Sequence, residues 1–127
     1  MILPVIYIAD SGKKGKGVFA AADIPATTAI EISPVLVLSE EERAAIEATL
    51  LQNYIFEWGD NCKQGALGMG YVSMYNHSYN ANCEYEMDYE LNNITIRTVK
   101  SIKAGEELHI NYNATHNDET PVWFETH

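Results

Sequence analysis

The sequence predicts a single α+β domain that is mostly β, on three observations. Short β-branched or alternating runs recur along the whole chain, separated by turns rich in Gly, Pro, Asn and Asp. Only one segment combines a helix start signal with an apolar stripe behind it. The length, 127 residues with 46% hydrophobic side chains, suits one modest core and is too apolar for a disordered chain. No internal repeat and no low-complexity tract suggests a second unit.

In chain order, Ile2–Ile8 is apolar and β-branched and predicts a first strand. Asp10–Gly17 is a turn-rich, locally basic loop, and Val18–Ala22 resumes as a strand before the Asp23-Ile24-Pro25 turn. Ala29–Leu38 predicts a strand whose Ser33-Pro34 step implies an edge position or a bend. Ser39 followed by three glutamates to Glu42 is a capping box with acids suited to the helix dipole, so a helix is expected over 39–52. Tyr54–Trp58 predicts a short strand and Gly59–Gly65 a loop. In 83–90, Cys83, Tyr85, Met87 and Tyr89 alternate with Glu84, Glu86, Asp88 and Glu90. With a turn at Asn92-Asn93 and a return over Ile94–Val99, this is a hairpin with one half-buried and one acidic face. A turn at Lys103–Glu106 then leads into a strand over Leu108–Tyr112.

Eight Lys+Arg against 18 Asp+Glu give a net charge of −10. Direct nucleic-acid binding is excluded by that balance, because phosphate contacts need clustered Lys and Arg, and an anionic membrane is excluded for the same reason. A basic partner remains, as does a simple solubility role. Cys62 and Cys83 are too few for a disulfide scaffold and lack metal-ligand spacing, so no metal is expected. Two free thiols suit a reducing cytosol, although one bridge stays open. No signal peptide is visible at the apolar opening, and a cytoplasmic location is expected, or a nuclear one in a eukaryote.

Three motifs carry chemistry. Gly12, Gly15 and Gly17 match neither a P-loop nor a dinucleotide fingerprint, since Val18-Phe19-Ala20 follows; what survives is a Gly-x-Gly loop where backbone approaches a ligand closely. Asn76-His77-Ser78 with Asn82-Cys83 forms a polar segment without nucleophile-elbow glycines. Gly105-Glu106-Glu107-Leu108 leads to Asn111-Tyr112 at the end of the last strand.

In this order the three motifs resemble a SET domain, the fold of most protein lysine methyltransferases, over about residues 5–112. The resemblance implies S-adenosylmethionine as cofactor, with the backbone of Lys16 and Gly17 against its methionine part. Asn76 and His77 would bind its adenine and amino groups, and Tyr112 would stand beside the transferring methyl. It also implies a C-terminal pseudoknot that brings Asn76 and Tyr112 together. Tyr71 is the next candidate for the catalytic lysine channel, and Trp123 and Phe124 in the tail at 113–127 are candidates for an apolar lid over it. The chemistry asks for such a site: methyl transfer to an amine is an in-line displacement that depends on positioning. A lysine amine of pKa about 10.4 is neutral in only about one molecule per thousand near neutrality.

This sequence departs from the family at Ser73-Met74, where Arg-Phe is frequent, and at Ala81, where a proline is usual. It also lacks the cysteine-rich segment that binds zinc after many SET domains. The expected function is methylation of lysine on a basic protein, histone-like, nucleoid or ribosomal. The alternative is an inactive SET-fold module that binds basic segments. A homodimer is compatible with so small a domain, but no sequence patch demands it.

Overall fold

The computed structural model describes residues 1–12, 15–59 and 61–112, so Trp123 and Phe124 lie outside the described residues. The strands are β1 (Ile6–Asp10), β2 (Lys16–Ala20), β3 (Ala29–Leu38), β4 (Ile55–Trp58), β5 (Gln64–Gly68), β6 (Asn76–His77), β7 (Cys83–Asp88), β8 (Asn93–Thr98) and β9 (Glu107–Ile110). One α-helix, α1 (Glu40–Ala45), and 3-10 turns at Leu50–Tyr54 and Val72–Met74 complete the described elements. The expected mostly-β architecture is observed, with one helix that is short.

Strands pair in the order β1-β2-β9-β7-β8-β3-β5-β4, with β6 laid against β9. Every pairing is antiparallel except those of β9 with β6 and β7, which are parallel. The last described strand, β9, therefore lies between β2 and β7 rather than at an edge. Its alternation explains this: Leu108 and Ile110 are fully buried, and Glu107 and His109 only half-buried. On β8, Ile94, Ile96 and Thr98 alternate into the same core, where Ile30, Val18 and Ile102 meet them. Each such side chain contributes roughly 1.5–3 kcal/mol by leaving water.

The hairpin forms in the expected register, from Cys83↔Thr98 to Asp88↔Asn93, with Tyr85 and Met87 half-buried and Glu86 and Asp88 exposed. Asn92 supplies the left-handed residue of its turn, at φ 53°. Tyr89 departs from expectation: it lies beyond the strand end, 46% exposed, with its ring edge-on to Trp58 at 4.8 Å. Pro34 does not mark an edge. It stands where β3 changes partner, pairing with β8 over Ala29–Pro34 and with β5 over Val35–Leu38. Its missing N–H therefore interrupts neither ladder's interior.

The helix is shorter than the 39–52 expected. Its capping box is present, with Glu42 N–H donating to Ser39 Oγ at 3.1 Å and Ser39 N–H to Glu42 Oε1 at 2.9 Å. No residue of α1 is buried, and Leu50, on the expected apolar stripe, is 72% exposed. Without a buried face nothing offsets the cost of ordering further turns, and the chain ends the helix after Ala45. β5 begins inside the expected 59–65 loop. Its glycines hide the strand pattern, yet packing requires one of them: a Cβ on Gly68 would lie 2.6 Å from Val72 Cγ1. Cys62 is exposed and Cys83 buried, and both are free thiols.

Candidate active site

The loop before β2 is closed by Ser11, whose N–H and Oγ both donate to Gly15 O at 2.7 Å. Gly15 sits at φ 75°, a left-handed turn that starts β2 at Lys16. Gly17 is buried for a different reason. A Cβ there would lie 2.5 Å from Glu107 Oε2 and 2.9 Å from Asn76 Nδ2. Only a bare backbone lets the first motif touch both of the others.

Asn76 is the joint between the three motifs. Its Nδ2 lies 2.8 Å from Glu107 Oε2, 3.1 Å from Ser11 Oγ and 3.2 Å from Lys16 O, so two amide hydrogens are shared among three acceptors. His109 Nε2 stands 3.5 Å from the other oxygen of Glu107. Asn82 stitches the same strand from the far side: its Nδ2 donates to Glu107 O at 3.0 Å and its Oδ1 accepts His109 N–H at 2.8 Å. That side-chain amide replaces a backbone neighbour for β9.

Beyond β9 the chain brings Tyr112 to the same place. His77, 5% exposed, accepts the Tyr112 N–H on Nδ1 at 3.1 Å and packs its ring against Tyr112 at 5.2 Å and edge-on to Tyr79 at 4.4 Å. The Tyr112 hydroxyl donates to Tyr75 O at 2.8 Å, and the Tyr112 carbonyl accepts from Tyr85 OH at 3.2 Å. Burial, with the nearby Tyr54 phenol, pushes the Tyr112 hydroxyl up to about 12, so it is neutral at any physiological pH. Burial raises Tyr85 as well, and it raises Tyr75 well above the ordinary phenol range, helped by the Glu31 carboxylate.

These residues border a cavity of about 360 Å³ lined by Gly15, Lys16, Asn53, Tyr54, Ser73, Met74, Tyr75, Asn76, His77 and Tyr112. That volume lies within the range of small-molecule sites, roughly 300–1,000 Å³. Lys16, Asn76, His77 and Tyr112 are thus brought together, with Gly17 directly behind them. Tyr71 is half-buried and packs on the core; its N–H donates to Glu31 Oε2 at 2.7 Å, and its side chain is not part of the cavity lining. Among the described residues no group of three or more His, Cys, Asp or Glu could hold a metal ion.

Several contributors escape sequence reasoning. Asn53 and Tyr54 come from the 3-10 turn that replaces the end of the expected helix. Tyr75 precedes the Asn-His motif and offers no pattern of its own. Glu31 is fully buried on β3 and accepts from Ser33 Oγ at 2.7 Å, Val72 N at 3.1 Å and Tyr75 OH at 2.9 Å, besides Tyr71 N. A glutamate between two isoleucines in a β-branched strand is the one signal that could have marked it.

The SET domain family model matches residues 15–113. A Schizosaccharomyces pombe protein named "Histone-lysine N-methyltransferase, H3 lysine-37 specific" is 43% identical over 98% of this chain and 83% of its own length. Among solved structures, a candidate histone methyltransferase of Plasmodium falciparum superposes with a TM-score of 0.66 at 29% identity, covering 90% of this chain and 97% of that one. A chain of the Chaetomium thermophilum Polycomb Repressive Complex 2, bound to S-adenosylmethionine, shares the fold at a TM-score of 0.74 and 24% identity, over 87% of this chain and 15% of that one. Family match, relatives and geometry agree, and the chain belongs to the SET domain family of protein-lysine methyltransferases.

Proposed function

We propose that this domain binds S-adenosylmethionine in the cavity between the Gly15–Gly17 loop, Asn76-His77 and Tyr112, and methylates a lysine of a histone-like basic protein. The convergence of those three segments on one 360 Å³ cavity supports the reading most directly. The lining fits such a molecule: backbone at Gly15 and Lys16 and the Asn76 carboxamide for its polar end, and Met74, Tyr54 and Tyr75 for its flat and apolar parts. The curated relative names histone H3 as its target, and a charge of −10 suits a lysine-rich substrate.

S-adenosylmethionine supplies, when bound, a sulfonium-activated methyl group and a positive charge that favours a neutral amine. The chain's own residues supply position. Tyr112, held at its N–H by His77, at its carbonyl by Tyr85 and at its hydroxyl by Tyr75, presents a neutral phenol whose oxygen retains lone pairs for an incoming amine. Such a phenol is no general base, so the lysine amine must enter deprotonated, and aromatic, desolvated surroundings lower its pKa towards that state. Catalysis is then orientation of amine against methyl.

Titration calorimetry with S-adenosylmethionine, followed by transfer of labelled methyl to histone H3, tests the reading. Saturable cofactor binding and label on lysine are expected. Tyr112→Phe should lower kcat about tenfold, the rate equivalent of one hydrogen bond of roughly 1.4 kcal/mol, with cofactor affinity kept. Absence of binding at millimolar cofactor overturns it.

A further inference from the structure

We infer that Glu31 is a positioning residue for the Tyr112 hydroxyl, acting through Tyr75; the inference rests on the methyl-transfer role proposed for Tyr112. Glu31 lies on β3, is not itself part of the cavity lining, and is fully buried. A buried carboxylate survives only if its lone pairs are met, and this one accepts four hydrogen bonds, three of them from the 71–75 segment. Oε2 takes Ser33 Oγ and the N–H groups of Tyr71 and Val72, and Oε1 takes the Tyr75 hydroxyl.

The division of labour matters. The Oε2 bonds fix where the 71–75 segment leaves β3's neighbourhood. Gly70 is pressed so closely on Glu31 Oε2 and Ser33 Oγ that a Cβ has no room there. The Oε1 bond fixes the far end of that segment, the ring of Tyr75, which is 1% exposed. Tyr75 then offers its backbone carbonyl to the Tyr112 hydroxyl at 2.8 Å. One carboxylate thus sets both ends of a five-residue span whose last carbonyl aims the phenol.

Two substitutions act on this path at one bond, the first by removing it and the second by reversing it. Tyr75→Phe removes the hydroxyl at Oε1 and leaves the carbonyl and all backbone bonds to Glu31. Glu31→Gln keeps an oxygen where three donors converge and turns an NH2 towards Tyr75, reversing that single bond. A double-mutant cycle with Tyr112→Phe, in the full chain on histone H3, reads the result. In the wild-type background each substitution should lower kcat about fivefold to tenfold, with cofactor affinity within twofold. In the Tyr112→Phe background the same substitution should cost less than twofold, because the group it aims is gone. Equal losses in both backgrounds would mean that Glu31 only supports the fold, and would overturn the inference while leaving the methyltransferase reading intact. A wild-type kcat in Tyr112→Phe alone would overturn the role proposed for Tyr112 and this inference with it, and would leave methyl transfer by the domain standing. Should Glu31→Gln not fold, Tyr75→Phe carries the cycle by itself.

Discussion

Gly17 shows how much a single position can constrain. The space a side chain would fill already holds Glu107 Oε2 and Asn76 Nδ2, the two atoms that tie β9 to β6 beside the cavity. Gly17→Ala must push that pair apart or shift the loop off it, and both atoms are hydrogen-bonded, so neither yields freely. We expect cofactor affinity to fall at least about tenfold, roughly 1.4 kcal/mol, while the far hairpin is untouched. Calorimetry against S-adenosylmethionine checks this, and an unchanged Kd would refute it. Residues of this kind are legible in a sequence because their neighbours are fixed by motif: Gly17, Asn76 and Tyr112 were each legible in this way. Glu31 and Tyr75 were not. Their partners lie 44 positions apart, and nothing local announces a bond between a β-strand carboxylate and a phenol on a distant turn.

At the scale of elements, β9 decides the site. It carries Glu107 to Asn76, ends at Tyr112, and is paired by strands on both flanks in mixed directions. Between those pairings, Asn82 supplies one donor and one acceptor to the strand's backbone. Asn82→Ala deletes both bonds, the one to the half-buried Glu107 carbonyl and the one from the half-buried His109 N–H. The expected cost is about 1–3 kcal/mol, seen as a lower urea midpoint at unchanged slope, together with weaker cofactor binding. Loss of stability without loss of binding would show that β9 holds its place without the amide. The hairpin and β3 were legible because alternation and β-branching are local signals. The helix was overread because a sound start signal says nothing about whether a later face finds a core to bury against. β5 was underread for the opposite reason: Gly68 is required by Val72 packed against it, and that contact is not visible in the sequence.

For the whole molecule the leading property is charge. A net −10 on 127 residues creates a field that acts before any contact forms, with only eight Lys and Arg to offset 18 acidic side chains. The described Lys and Arg ion pairs, Arg43 with Glu57 at 3.6 Å, Arg97 with Glu86 at 3.3 Å and Lys103 with Asp23 at 4.0 Å, are exposed or half-exposed and worth little to stability. The acidity therefore bears on encounter more than on fold. If it steers a lysine-rich substrate, kcat/KM on histone H3 should fall about tenfold between roughly 0.1 and 1 M salt, as the Debye length shrinks from about 10 to about 3 Å. Turnover of a short peptide with one lysine and no other charge should change less than twofold over the same range, because a single positive charge gives the field little to act on. Parallel salt series on the two substrates separate steering from a general effect of salt on the enzyme. Equal slopes would assign the −10 to solubility and leave substrate choice to the contacts around Tyr112.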